Sequence, residues 1–235
     1  NVLELGDDEY AAIVDSVARG APRRDILAAI ARWKLEPTAR RLNRFAERAR
    51  DLGRRVGKIL EVDVEPNGLR LCAETWAPVW TALSHVIRNS VDHGIEAADE
   101  RAEHGKSPEG HLRLSTLLEG DKLWIEVADD GRGIAWESVA ARAASRGLAH
   151  ATRGDLVEAL FADGVSTAQV VTELSGRGVG MSAVREACRA LNGTIEVESE
   201  SGQGTTIRCG FPQELMGGKF SGVRDRPITR SLAPP

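Results

Sequence analysis

Apolar residues change their spacing along this chain, and each change marks an element. Residues 8–19 and 23–33 carry helical spacing and break at Gly20-Ala21-Pro22, which predicts two short helices. Leu42, Phe45, Ala49, Leu52 and Val56 then recur at intervals of three and four, with Pro37 near the first turn and Gly57 past the end. That seam predicts a longer helix docked on a body, because two heptads are too short for an independent coiled coil. The period falls to two over Ile59 to Glu65 and Leu69 to Cys72, on either side of Pro66-Asn67-Gly68, a hairpin signature. Trp76, Trp80, Leu83, Val86, Ile87 and Val91 restore the helical period. Strands are expected near 111–118 and 122–129, joined at Gly120-Asp121, then a helix near 136–147 and a loop-rich stretch to about 178. A helix to 191 and strands near 194–200 and 204–211, joined at Ser201-Gly202-Gln203-Gly204, finish the body. From Met216 onward no burial pattern remains, and a flexible tail or linker is expected. Strands in hairpins with helices between them predict an α/β fold, a two-layer sandwich of one mixed sheet with helices on a single face.

The helix that contains Trp76 and Trp80 also has a polar stripe. His85, Arg88, Asn89, Asp92 and His93 fall at i, i+3, i+4, i+7 and i+8. Two imidazoles, a guanidinium, an amide and a carboxylate on one face suit metal and phosphate chemistry. Two glycine-rich loops follow it. Asp129-Asp130-Gly131-Arg132-Gly133-Ile134 ends a strand-like run, and Ser175-Gly176-Arg177-Gly178-Val179-Gly180-Met181 opens a helix-like one. Taken alone, each loop reads as a turn, Asp129 as a turn carboxylate and Arg88 as half of an ion pair with Asp92 or Glu96. Their order gives them a joint meaning. Glycines allow close backbone approach, and a glycine loop opening a helix turns N–H groups toward an anion.

Composition narrows the class. The 235 residues suffice for one substantial core with a small appendage, and 42% apolar with 28% charged content is that of a globular protein. No apolar run approaches the roughly 20 residues of a membrane span, so no direct membrane insertion is expected. Cys72, Cys188 and Cys209 lie in apolar patterns without metal spacing and read as core thiols. The net charge of −4 hides an asymmetry: residues 21–58 hold twelve Lys or Arg against four Asp or Glu. An acidic body with a basic arm argues against nucleic acid as a partner. The chain opens on Asn1 rather than Met, which suggests a processed chain or a piece of a longer one.

In this order the segments resemble the GHKL ATPase superfamily and, within it, the catalytic domain of CheA-type chemotaxis histidine kinases. The resemblance rests on His85 to Glu96, Ala128 to Ile134, Phe161 to Thr167, Ser175 to Met181 and Leu191 to Thr206, and spans about Thr38 to Pro212. It implies the Bergerat/GHKL ATP-binding fold, with residues 1–36 as a helical extension, 37–215 as the kinase domain and 216–235 as the tail. It implies ATP and Mg²⁺ as cofactors, with Asn89 holding the metal. Asp129 would accept the adenine amino group. Gly131, Gly133, Ile134, Asp92 and Thr206 would line the nucleotide, and Ser175, Gly176, Arg177, Gly178, Val179, Gly180 and Met181 would face its phosphates. His85, Arg88 and His93 would stand near the γ-phosphate, His85 in the place where conventional sensor kinases have a Glu. That substitution also counts against a hydrolytic ATPase of the gyrase, chaperone or mismatch-repair kind.

The implied activity is transfer of the γ-phosphoryl group to a histidine on a separate histidine phosphotransfer domain, in cis or in trans, in cytoplasmic two-component signalling with a downstream response regulator. His104, His111 and His150 have no helical bundle around them that would make one of them the acceptor. Asp163 and Val165 replace a proline and a phenylalanine of the family's lid, here about 147–178, while Ser182 and Asn192 replace an Asp and a Gly. These departures leave a degenerate nucleotide-binding scaffold as the alternative.

Overall fold

The structure, a computed structural model, describes residues 6–65, 67–162 and 181–216. The order is α1 (Asp7–Ala18), α2 (Arg23–Arg32), β1 (Glu36–Pro37), α3 (Thr38–Arg55), β2 (Leu60–Val64), β3 (Arg70–Leu71) and α4 (Ala73–Asn89). A π-helical turn (Ser90–Gly94) and α5 (Ala98–Glu103) lead to β4 (Gly110–Glu119) and β5 (Lys122–Asp129). Then come α6 (Trp136–Ser145), α7 (Arg153–Leu160), α8 (Met181–Ala190), β6 (Thr194–Glu200), β7 (Gly204–Pro212) and a final 3₁₀ turn (Gln213–Met216).

Five strands form one mixed sheet in the order β2-β4-β5-β7-β6, with β2 parallel to β4 and the other pairs antiparallel. Alternation gives the sheet two different faces. Leu112, Leu114, Leu123, Ile125, Val127, Ile207, Cys209 and Phe211 share the covered face and are buried. The helices lie on it: Trp76 of α4 meets Phe211 edge-on at 4.7 Å, and Phe45 of α3 meets Trp80 at 6.2 Å. The other face holds Trp124, which Arg208 and Lys122 cover at 4.4 and 5.3 Å. The expected two-layer sandwich is the one found.

Four expectations at element level need correction. Residues 59–65 and 69–72 form no hairpin: β2 pairs with β4, and β3 pairs with β1. Asn67 explains the divergence, since its side chain bonds Thr38, Thr116 and the Leu69 N–H and so ties the connection into the core. Within the stretch read as loop, Thr152 and Asp155 cap α7 reciprocally, a capping box with Asp in the usual Glu position. Val56, the last apolar residue of the α3 seam, is 44% exposed. Met216, read with the tail, is buried. The helices at 8–19 and 23–33 are present but bury no residue. Glu9 of α1 holds Arg70 through two bonds of 2.8 and 2.6 Å.

Candidate functional site

The site is built where α4 stops. Its last turn passes into the π-turn, closed by the Ile95 N–H donating to the Ser90 carbonyl at 2.7 Å. Lys58 Nζ holds the Val91 and Asp92 carbonyls at 2.7 and 2.8 Å, so the widened turn is capped from α3's side of the fold. The Arg132 N–H donates to the Gly94 carbonyl at 2.9 Å and joins this turn to the loop after β5.

That loop is closely packed. A Cβ on Gly131 would sit inside the Gly94 carbonyl, and one on Gly133, whose φ is +76°, inside the Glu200 carbonyl. Only glycine fits either place. The Ile134 N–H donates to Ser199 Oγ at 2.8 Å, which fixes the loop's far end on β6. Asp129 is half-buried at the end of β5. Burial raises its carboxyl above the ordinary value, while bonds from Ser90, Gly131 and Thr205 pull the other way and Asp130 adds repulsion. A Cβ on Gly94 would stand 3.3 Å from Asp129 Oδ2, so the glycine leaves that carboxylate edge open. A carboxylate held in this way accepts an N–H from a bound group and rejects another acceptor.

The helix stripe divides. At 100° per residue, His85 through His93 span an arc of about 140°, too wide to face one neighbour. His85 is half-buried in a groove between α4 and α8, beside Ala183 and Ala187. Asn89 lies further along that side, and its Nδ2 meets Met181 Sδ at 3.4 Å. Arg88 points toward α3, is 61% exposed and pairs with Asp92 at 3.1 Å. His93, in the π-turn, is exposed. The structure therefore groups His85, Asn89 and Met181 along one wall and Asp129, Gly131, Gly133 and Ile134 along another. Consecutive residues join them, since Asn89 touches Met181 and Ser90 touches Asp129.

Thr206 is on the opposite face from Asp129. It pairs with Ala128, whereas Thr205 pairs with Asp129 and shares its face. Strand alternation makes a one-residue difference a change of side. Ser175, Gly176, Arg177, Gly178, Val179 and Gly180 lie outside the described residues, as do Asp163 and Val165. The sequence reading also missed Lys58, Ser90, Arg101, Lys106 and Thr205. A charged pair such as Arg101 and Lys106 has no periodic signal, and its role becomes visible only when partners distant in the chain surround it. Among the described residues no cluster of three or more His, Cys, Asp or Glu could hold a metal by itself. No helix there is long and apolar enough to cross a membrane.

Comparison with known proteins gives a consistent picture. The family described as "Histidine kinase-, DNA gyrase B-, and HSP90-like ATPase" matches residues 79–215. Chemotaxis protein CheA of Salmonella typhimurium is 37% identical over 195 residues, covering 82% of this chain and 29% of its own. The gliding motility regulatory protein of Myxococcus xanthus is 37% identical over 192 residues, covering 79% and 25%. Sensor histidine kinase CheAY of Helicobacter pylori is 34% identical over 214 residues, covering 88% and 26%. The chain thus spans between a quarter and a third of these relatives' length.

Proposed function

The chain belongs to the histidine kinase-, DNA gyrase B- and HSP90-like ATPase family, and on that premise we propose that it is the ATP-binding catalytic module of a CheA-like histidine kinase. It transfers the γ-phosphoryl group of ATP to a histidine on a separate phosphotransfer domain, as the first step of a two-component relay in the cytoplasm. One observation carries this reading: a half-buried acceptor carboxylate, Asp129, with an open edge beside Gly94, one residue-to-residue link away from the amide of Asn89.

The residues fit the nucleotide. Asp129 accepts the adenine amino N–H, and Gly131 and Gly133 keep the loop tight enough to hold that carboxylate still. Asn89 offers Mg²⁺ a neutral oxygen, which leaves the phosphate charge to the ion rather than opposing it. The ion supplies charge neutralisation at the phosphates. His85, one turn before Asn89 on the same side, orients the incoming imidazole and takes its proton. Phosphoryl transfer of this kind depends chiefly on positioning, so the base contributes modestly. Residues 37–215 form the kinase domain, and residues 1–36 a helical extension.

Calorimetry with ATP tests the nucleotide site. Affinity should rise with Mg²⁺ and fall at least roughly 100-fold in Asp129→Asn. Binding that is equal in the variant ends the assignment of the base-reading carboxylate. For the transfer step, His85→Gln should slow phosphorylation of a supplied phosphotransfer domain by about 10²-fold while ATP affinity holds. Unchanged transfer would remove His85 from the mechanism.

A further inference from the structure

Behind Asp129 the chain places a closed set of four charges. Arg101 of α5 is 1% exposed. Its Nη2 donates to Asp130 Oδ2 at 2.6 Å, and its Nη1 to Asp130 Oδ1 and Glu96 Oε2, both at 3.1 Å. Its Nε donates to the Ser107 carbonyl at 2.6 Å. Lys106 Nζ holds Glu96 Oε1 at 2.9 Å and the carbonyls of Asp130 and Gly131 at 2.8 and 2.9 Å. Two cations thus balance two carboxylates, and the Asp130 side chain also takes the His111 N–H at 2.8 Å.

Asp130 adjoins Asp129 in the chain, and neighbouring carboxylates oppose each other's ionisation. The elements packed on Asp129 bring the Ser90 hydroxyl from the π-turn, the N–H of Thr205 from β7, the N–H of Gly131 from its own loop, and the charge of Asp130. Arg101 reaches Asp129 through Asp130, and Lys106 through Asp130 and also through Gly131, whose carbonyl it holds and whose N–H donates to Asp129. The protonation of Asp129 matters because adenine presents an amino donor where guanine presents a carbonyl acceptor. An ionised carboxylate only accepts, whereas a protonated one can also donate.

We propose that Arg101 is a positioning residue for base selection, which by neutralising Asp130 keeps Asp129 a pure acceptor and so sets the site's preference for adenine over guanine. The inference rests on the reading of Asp129 given above. Its test is calorimetry with ATP and with GTP between pH 5 and 8 on the wild type, Arg101→Met, Asp130→Asn and the double variant. The double variant removes one charge of each sign and leaves Glu96 paired with Lys106.

In the wild type ATP should bind at least about tenfold better than GTP at neutral pH. In Arg101→Met that ratio should shrink, and the acid loss of ATP binding should move to higher pH. The double variant should regain the ratio to within about threefold. Asp130→Asn alone, which keeps Arg101, should retain the ratio and move the acid loss to lower pH. A wild-type ratio and pH profile in Arg101→Met would make Arg101 merely structural and overturn the inference. Should that variant fail to fold, an unmoved acid loss in Asp130→Asn overturns it just as well. A wild type that binds no nucleotide at any pH overturns the proposed function, and this inference with it. A wild type that prefers ATP while the variants fail these expectations overturns the inference alone.

Discussion

Gly133 and Gly202 have nearly the same backbone, with φ of +76° and +77°, yet their surroundings differ. A Cβ on Gly133 meets the Glu200 carbonyl, whereas one on Gly202 meets nothing within 4 Å. Gly202→Ala should therefore cost only the left-handed conformation, about 1 kcal/mol, and leave nucleotide binding alone. Gly133→Ala should cost about 3 kcal/mol and weaken ATP as well, because it moves the loop that carries Asp129. Urea unfolding and calorimetry on the pair separate the two effects. Asp129 itself works against the empty fold. Its folded carboxyl lies above the ordinary value, chiefly from burial, so the folded state holds a proton that the unfolded state has released. Stability then falls as pH rises from the ordinary carboxylate value through the folded one. Asp129→Asn removes that charge, and its ligand-free melting temperature above this range should be unchanged or raised by up to about 3 °C. A clear drop would show that the carboxylate is structural.

Between residues and fold, the π-turn and α5 govern the site. Even a continued α-helix would set His93 about 80° round from His85; here the wider π-turn intervenes, and His93 is exposed. Glu96 follows the turn and is buried. Burial alone would raise its carboxyl, but the Lys106 bond and the charges of Lys106 and Arg101 outweigh it and hold the group below its ordinary value. On acidification the unfolded chain therefore takes up this proton first. The stabilisation is complete above the ordinary carboxylate value and is lost as pH falls through the lower folded one. Glu96→Gln should destabilise the protein by about 3 kcal/mol at neutral pH and flatten the acid limb of its stability curve. An acid limb as steep as the wild type's would assign that dependence to other carboxylates.

At the scale of the molecule, one covered sheet face explains why the site is an edge between layers. The helices can pack only on the face that carries Ile125, Val127 and Ile207, and Asp129 and Thr205 are the last positions of that face before the sheet ends. The N-terminal helices stand apart from this body. They bury no residue, and the Glu9 bonds to Arg70 join α1 to the strand before α4. Removing residues 1–33 should lower the melting temperature by less than about 5 °C and leave ATP affinity within about threefold. A chain that no longer folds would make α1 and α2 part of the domain.

Local spacing determined much of this protein. The helical seam of α3, the apolar face of α4, the strands of β4 to β7 and the glycine loop after β5 all read directly from period and turn residues, because each depends on neighbours within a few positions. The order of the polar helix and the glycine loops was enough to point to the family. Tertiary structure alone decided which strand β2 joined, since parallel pairing involves residues fifty positions apart. It decided that His85 and Arg88 face different helices, and that Thr205 rather than Thr206 shares a side with Asp129. It also decided the cage of Arg101, Lys106, Glu96 and Asp130. A buried charge owes its place to partners brought by the fold, and those partners leave no period in the sequence.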